Sequence, residues 1–200
     1  MKKLSILLLG IFMFAKTAVA GPDEATAFVS KLANEMIVDV LSTQKPMTEK
    51  LDLFRTKFQS AIDLKFVGQF VIGTYWRKAT PAEREAFLTA FMDFATKSWA
   101  DKFNLYNGQK ITFTGTRPAQ KGQFYVDSTI ENNPPAEVIW RVREKNGTYK
   151  IVDIVVEGVS MALSYRNEYS SFLQKNNGNL SALTKELEQK SKTFQFSEQK

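Results

Sequence analysis

The chain has no histidine and no cysteine, so any chemistry it does must come from its other side chains, carboxylates, tyrosines and guanidiniums among them. Imidazole bases, thiol nucleophiles, Ser-His triads and ordinary zinc sites are all excluded. No glycine-rich phosphate loop is present. Few soluble enzymes manage with what remains, and the composition leans toward a binder. The carboxylate in the most unusual setting is Asp153, inside the β-branched run Ile151-Val152-Asp153-Ile154-Val155-Val156. A lone Asp in such a strand is more commonly a structural hydrogen-bond acceptor than a base, and Asp153 is read that way.

The rest of the chain is organised around that strand. Strict alternation puts Ile151, Asp153 and Val155 on one face and Val152, Ile154 and Val156 on the other. Gly158 breaks the strand and Ser160 is placed to cap a helix carrying Met161, Tyr165, Tyr169 and Phe172 at helical spacing. Upstream, Phe28, Val29, Leu32, Met36 and Val40 form one helical stripe. A second helix starts at Thr48 with Leu51, Phe54 and Phe58 inward, and Asp63 caps a short third. Tyr75 and Trp76 follow Gly73, as either helix-end packing or pocket lining. Thr80-Pro81-Ala82-Glu83 starts a long helix running towards Tyr106, with Phe87, Leu88, Phe91, Phe94, Ala95 and Trp99 as a broad apolar band.

From Gln109 the period becomes two. Strands are predicted over 111–114, 124–130 and 138–142, with Lys121-Gly122 as a turn and Asn146-Gly147 joining the last of them to the central strand. A final amphipathic helix carries Leu180, Leu183 and Leu187, and a polar tail follows Ser191. The order of elements predicts an α+β fold: a curved antiparallel sheet with helices grouped on one side. The chain holds 16 Phe, more than a compact core needs, so an aromatic stripe facing a cavity is a reading beside ordinary core.

Residues 1–20 have the features of a secretory signal peptide: Lys2 and Lys3, an apolar run from Leu4 to Phe14, and Ala18-Val19-Ala20 as cleavage site. The run is too short to span a bilayer. Cleavage leaves residues 21–200 as one domain, soluble in the periplasm. Losing Lys2, Lys3 and Lys16 lowers the formal charge from +6 to +3, and no basic cluster suggests nucleic acid. Without cysteine there is no disulfide framework and no residue for a lipoprotein anchor.

The string Asp153-Ile154-Val155-Val156-Glu157-Gly158-Val159-Ser160, followed by Tyr165-Arg166 and preceded by Val71-Ile72-Gly73-Thr74-Tyr75-Trp76-Arg77, resembles the MlaC or toluene-tolerance family. These are the periplasmic phospholipid-binding components of the Mla pathway. The resemblance runs from about Phe58 to Leu187. It implies a cone related to the nuclear-transport-factor-like folds, with a deep apolar cavity between sheet and helices. It also implies a monomeric shuttle that maintains outer-membrane lipid asymmetry and needs no cofactor beyond its lipid cargo. Its partners would be an outer-membrane lipoprotein complex and an inner-membrane ABC transporter complex.

On that reading the acyl-tail contacts are the residues pointing toward the helix-covered face of the sheet. These are Phe113, Val126, Ile130, Val138, Trp140, Val152 and Ile154, with Phe91, Phe94, Trp99 and Val159 opposite. Slipping the face by one residue would reverse the strand assignments. Arg141, Arg143 and Arg166 are candidate phosphate neighbours, with surface ion pairs as their ordinary alternative. Two rival readings stand beside it: a carrier of hopanoids or other polycyclic lipids, and an isomerase or hydrolase using Asp153 with Tyr149 or Tyr125. The second rests on fold analogy alone.

Overall fold

The computed structural model describes residues 21–104, 108–120 and 122–195. The expected signal peptide and the expected continuation of the long helix towards Tyr106 lie outside them. Helix α1 spans Pro22–Met36 and runs into a π-helical turn over Ile37–Leu41. Helices α2 (Met47–Ala61), α3 (Leu64–Ile72), α4 (Tyr75–Lys78) and α5 (Pro81–Asn104) follow. Strands β1 (Ile111–Pro118), β2 (Gln123–Ile130), β3 (Ala136–Lys145), β4 (Thr148–Val156) and β5 (Val159–Ser160) lead to α6 (Met161–Lys175) and α7 (Leu180–Lys192).

Local chemistry sets most of these boundaries. Thr80 and Glu83 form a reciprocal capping box, the Glu83 carboxylate accepting from the Thr80 backbone N–H at 2.8 Å and the Thr80 hydroxyl from the Glu83 N–H at 3.2 Å. Asp63 accepts from the Phe66 N–H, Ser160 from that of Leu163 and Asn179 from that of Ala182. α2 differs from expectation: it starts at Met47 after Pro46, with no side-chain cap, so Thr48 lies inside it. Both Asn146 and Gly147 adopt positive φ, 54° and 73°, the geometry that lets two residues join β3 to β4.

The five strands form one antiparallel meander in the order β1-β2-β3-β4-β5. The α+β architecture is as expected; the two-residue β5 was not. α3 begins at the β4 edge, where Ile62 bridges to Ile151 and the Asp63 N–H donates to the Ile151 carbonyl at 3.0 Å.

One irregularity decides which side chains meet. Arg141 pairs with Asp153 but the next β3 residue, Val142, pairs with Ile151, so Val152 is an extra residue in β4. This bulge corrects the strict alternation. Beyond it Ile151 returns to the face carrying Val142, Trp140 and Ile154, whereas alternation set Ile151 and Ile154 on opposite faces.

Candidate functional site

An apolar cavity of about 240 Å3 lies between α1, its π-helical turn and the sheet. Leu32, Ala33 and Met36 of α1 with Ile37 and Leu41 of the turn form one wall. Val138 and Trp140 of β3 with Ile151, Ile154 and Val156 of β4 form the other. Phe58, Trp99, Ile111 and Ile130 close the sides, and Gln109 is the one polar residue among those lining it. Leu32, Ile37, Leu41, Gln109, Ile111, Ile130 and Val156 are partly exposed, whereas Ala33, Met36, Val138 and Trp140 on the two walls and Phe58, Trp99, Ile151 and Ile154 are buried. The partly exposed set borders the mouth, and Phe58, Trp99, Ile151 and Ile154, which also border a second recess, form the floor.

Two features hold these walls. The Trp140 indole N–H donates to Ser128 Oγ at 3.0 Å, and that hydroxyl donates to the Val138 carbonyl at 2.8 Å. The polar atoms behind the β3 wall are thus satisfied, and what faces the cavity is carbon. On the helical side, Lys57 of α2 pairs with Glu35 of α1 at 3.2 Å and with Asp39 of the π-helical turn at 2.8 Å. The bond it donates to Asp39 is the main reason the Lys57 ammonium is held above its ordinary pKa.

Five residues expected on the cavity face line it: Trp99, Ile130, Val138, Trp140 and Ile154. Phe91 and Val152 line a separate recess of about 30 Å3, which shares Phe58, Trp99, Ile151 and Ile154 with the larger cavity. Val126 is fully buried opposite Trp140 in the β2–β3 ladder, and Phe113 stands opposite Ser128 at the core's edge. Phe94 was expected across from the sheet. It instead meets the Phe194 ring edge-on and lies beneath Lys190, so it faces α7. Val159 is 52% exposed on β5 and is not among the residues lining the cavity.

The three arginines take other partners. Arg141 donates to Gln123 Oε1 at 2.8 Å, and Arg143 pairs with Asp63 at 3.0 Å over the Phe66 ring. Arg166 donates to the Phe70 carbonyl at 2.6 Å and stacks on its ring. None is among the residues lining the cavity. Trp76 is buried beneath Arg84 and is not among the residues lining this cavity.

The residues cast for acid–base chemistry do not converge. Asp153 accepts from the backbone N–H groups of Ile154 and Ala162, each at 2.9 Å, and from the Ser160 hydroxyl at 2.6 Å, tying β4 to the start of α6. The Tyr149 hydroxyl donates to the Gly21 carbonyl at 3.3 Å. Tyr125 lies under the Arg117 guanidinium, in register with Arg141 and on the sheet face opposite Trp140.

Sequence reasoning missed the helical wall. Leu32, Ala33, Met36, Ile37 and Leu41 carry it, and Phe58, Gln109, Ile111, Ile151 and Val156 were missed as well. The recurrence of Leu32 and Met36 with Ile37 and Leu41 was the available signal. It identifies an inward face but not what lies across from it.

The MlaC protein family pattern matches residues 30–189. The intermembrane phospholipid transport system binding protein MlaC of Haemophilus influenzae is 25% identical over 162 residues, covering 75% of this chain and 74% of that one. The solved structure of a phospholipid-binding protein from Ralstonia solanacearum, in complex with a phospholipid, superposes with a TM-score of 0.75 at 22% identity. It covers 84% of this chain and 97% of its own. With the pattern running from the middle of α1 to the end of α7, the chain belongs to the MlaC family.

Proposed function

We propose that this protein is a periplasmic phospholipid carrier. It holds acyl tails in the cavity between α1, the π-helical turn and the sheet, and exposes the head group at the mouth near Gln109. The observation that carries this is a cavity of about 240 Å3 with almost purely apolar walls. A water needs on the order of 10–15 Å3 and two to four polar partners. The space is therefore ample for water, but the walls offer it next to nothing to bond. Such a site suits a long apolar filler. Each buried methylene contributes about 0.8 kcal/mol, so an acyl chain of ordinary length contributes roughly 12 kcal/mol.

The named relatives bind or transport phospholipid, which supports the same cargo here. The carrier is read as a non-catalytic monomer comprising residues 21–200, released after Ala20. It would exchange lipid with an outer-membrane lipoprotein complex and an inner-membrane ABC transporter complex. No helix among the described residues is long and apolar enough to cross a membrane.

Mass spectrometry of protein recovered from the periplasm tests the reading in one experiment. The expected result is a polypeptide beginning at Gly21 that releases phospholipid on denaturation. Protein that emerges without lipid, or with a polycyclic lipid in its place, would overturn it.

A further inference from the structure

The floor of the cavity has a second space behind it. Phe58, Trp99, Ile151 and Ile154 line both the 240 Å3 cavity and the 30 Å3 recess, so these four side chains are the partition between the two. The Phe58 and Trp99 rings stand 6.5 Å apart, tilted by 38°, and are 6% and 8% exposed. Beyond them the recess is bounded by Phe91, Met92 and Ala95 of α5 and by Met161, Ala162 and Tyr165 of α6. At about 30 Å3 it has room for roughly two water-sized groups, each needing on the order of 10–15 Å3. A methyl terminus could be seated there, but not a further run of chain.

We infer that Trp99, braced by Phe58, is the gauge of acyl-chain length: it ends the channel available to a tail entering past Leu41 and Gln109. This rests on the phospholipid reading of the cavity and adds which residues set its selectivity. The residues at the mouth are partly exposed, whereas these rings are buried and are shared with the recess behind, so a tail entering there meets them after the exposed rim. A methylene that passes the rings gains apolar cover, whereas one stopped short is held in the mouth in contact with water. Each methylene brought under cover changes affinity about fourfold, so a wall moved by one ring width reorders lipids that differ only in tail length. Trp99 is the member to move. It comes from α5, whose backbone is held independently by α7 through the bond from Lys97 Nζ to the Ser191 carbonyl at 2.8 Å. Shortening the side chain therefore joins the recess to the cavity without releasing the helix.

The test is a competition among dimyristoyl, dipalmitoyl and distearoyl phosphatidylglycerol for the delipidated protein. It is run on the wild type, on Trp99→Leu and on Ile154→Phe, with circular dichroism to verify folding. Trp99→Leu should shift preference toward the longer tails, about fourfold for each methylene admitted to the recess. Ile154→Phe, which adds bulk at the same partition, should shift it toward the shorter tails, and it carries the test alone if Trp99→Leu does not fold. Wild-type preference order retained in the folded variants overturns the gauge while leaving the carrier intact. A wild type that binds none of the three lipids overturns the phospholipid reading and the gauge with it.

Discussion

Helix α5 passes through two regions built from the same kinds of residue, one filled and one hollow. Toward α6, Phe87 stacks on Phe91 at 5.8 Å, and both meet Tyr169 edge-on at 6.3 and 6.0 Å. Tyr165 meets Phe91 edge-on at 5.5 Å. Ring edges insert between ring faces, and beside them the space left is the recess of about 30 Å3. Toward α1, Trp99 faces aliphatic side chains across the 240 Å3 cavity. There the opposing positions hold Ala33, Met36, Ile37 and Leu41, too short to reach the sheet. Hydrophobicity alone does not distinguish the regions. What distinguishes them is whether the side chains opposite are long enough to meet.

The largest expected effect comes from breaking the filled side. Phe87 is fully buried, and Phe87→Ala should cost about 3–5 kcal/mol, near the top of the range for core truncation. Met36→Ala on the hollow side removes a side chain that already borders a void. It should cost about 2 kcal/mol, at the low end for such changes. Urea unfolding of the lipid-free proteins measures both. Equal losses would mean that the cavity is closed in solution and the contrast between the two regions is absent.

Trp140→Glu separates the regions by binding. Trp140 is 6% exposed, lines the cavity and holds the Ser128 hydroxyl. In a closed core an unpaired carboxylate costs several kcal/mol and the protein should unfold. In the cavity an empty pocket admits water around the charge, so the variant should stay folded and carry much less lipid. Circular dichroism together with lipid extraction reads both outcomes. A folded, fully loaded variant would place the tails away from β3.

The filled side was the more legible in sequence, though not in the way the pattern suggested. The Thr80–Glu83 box, the Ser160 cap and the Asn146-Gly147 hairpin are local rules, and the structure follows them because each is satisfied within a few residues. The band from Phe87 to Trp99 was equally visible, but its partners were not. Phe87 and Phe91 turn to α6, Phe94 meets Phe194 from the tail read as polar, and only Trp99 of these rings reaches the cavity. The hollow wall was illegible for two physical reasons. A helical stripe reports which face is buried without reporting the distance to what it faces, which hid Leu32 and Met36. A two-residue period cannot register an inserted residue, so the bulge at Val152 moved Ile151 onto the cavity face unseen.

The smallest expected effect tests whether the filled side is closed. The Tyr169 hydroxyl is buried with no hydrogen-bond partner among the described residues, and burial drives its pKa well above the ordinary value. Burial likewise pushes Tyr165 up to about 12, with its hydrogen bond to Ser98 offsetting part of the shift. Both groups are held neutral in the folded protein and ionise near pH 10 when unfolded, so they favour folding below about pH 10. That contribution should fall as pH rises from about 10 through about 12, where only the unfolded chain readily releases these protons. An unpaired buried hydroxyl has lost its water without replacement, at a cost on the order of 1 kcal/mol. Tyr169→Phe keeps the ring contacts and removes that cost. It should be neutral or stabilising by up to about 1 kcal/mol, with a shallower alkaline loss, in urea titrations at pH 7 and at pH 11. Destabilisation of more than about 1 kcal/mol would mean that the hydroxyl has a partner. If the variant also lost lipid affinity, that partner would be the cargo, and the aromatic side would be an extension of the cavity.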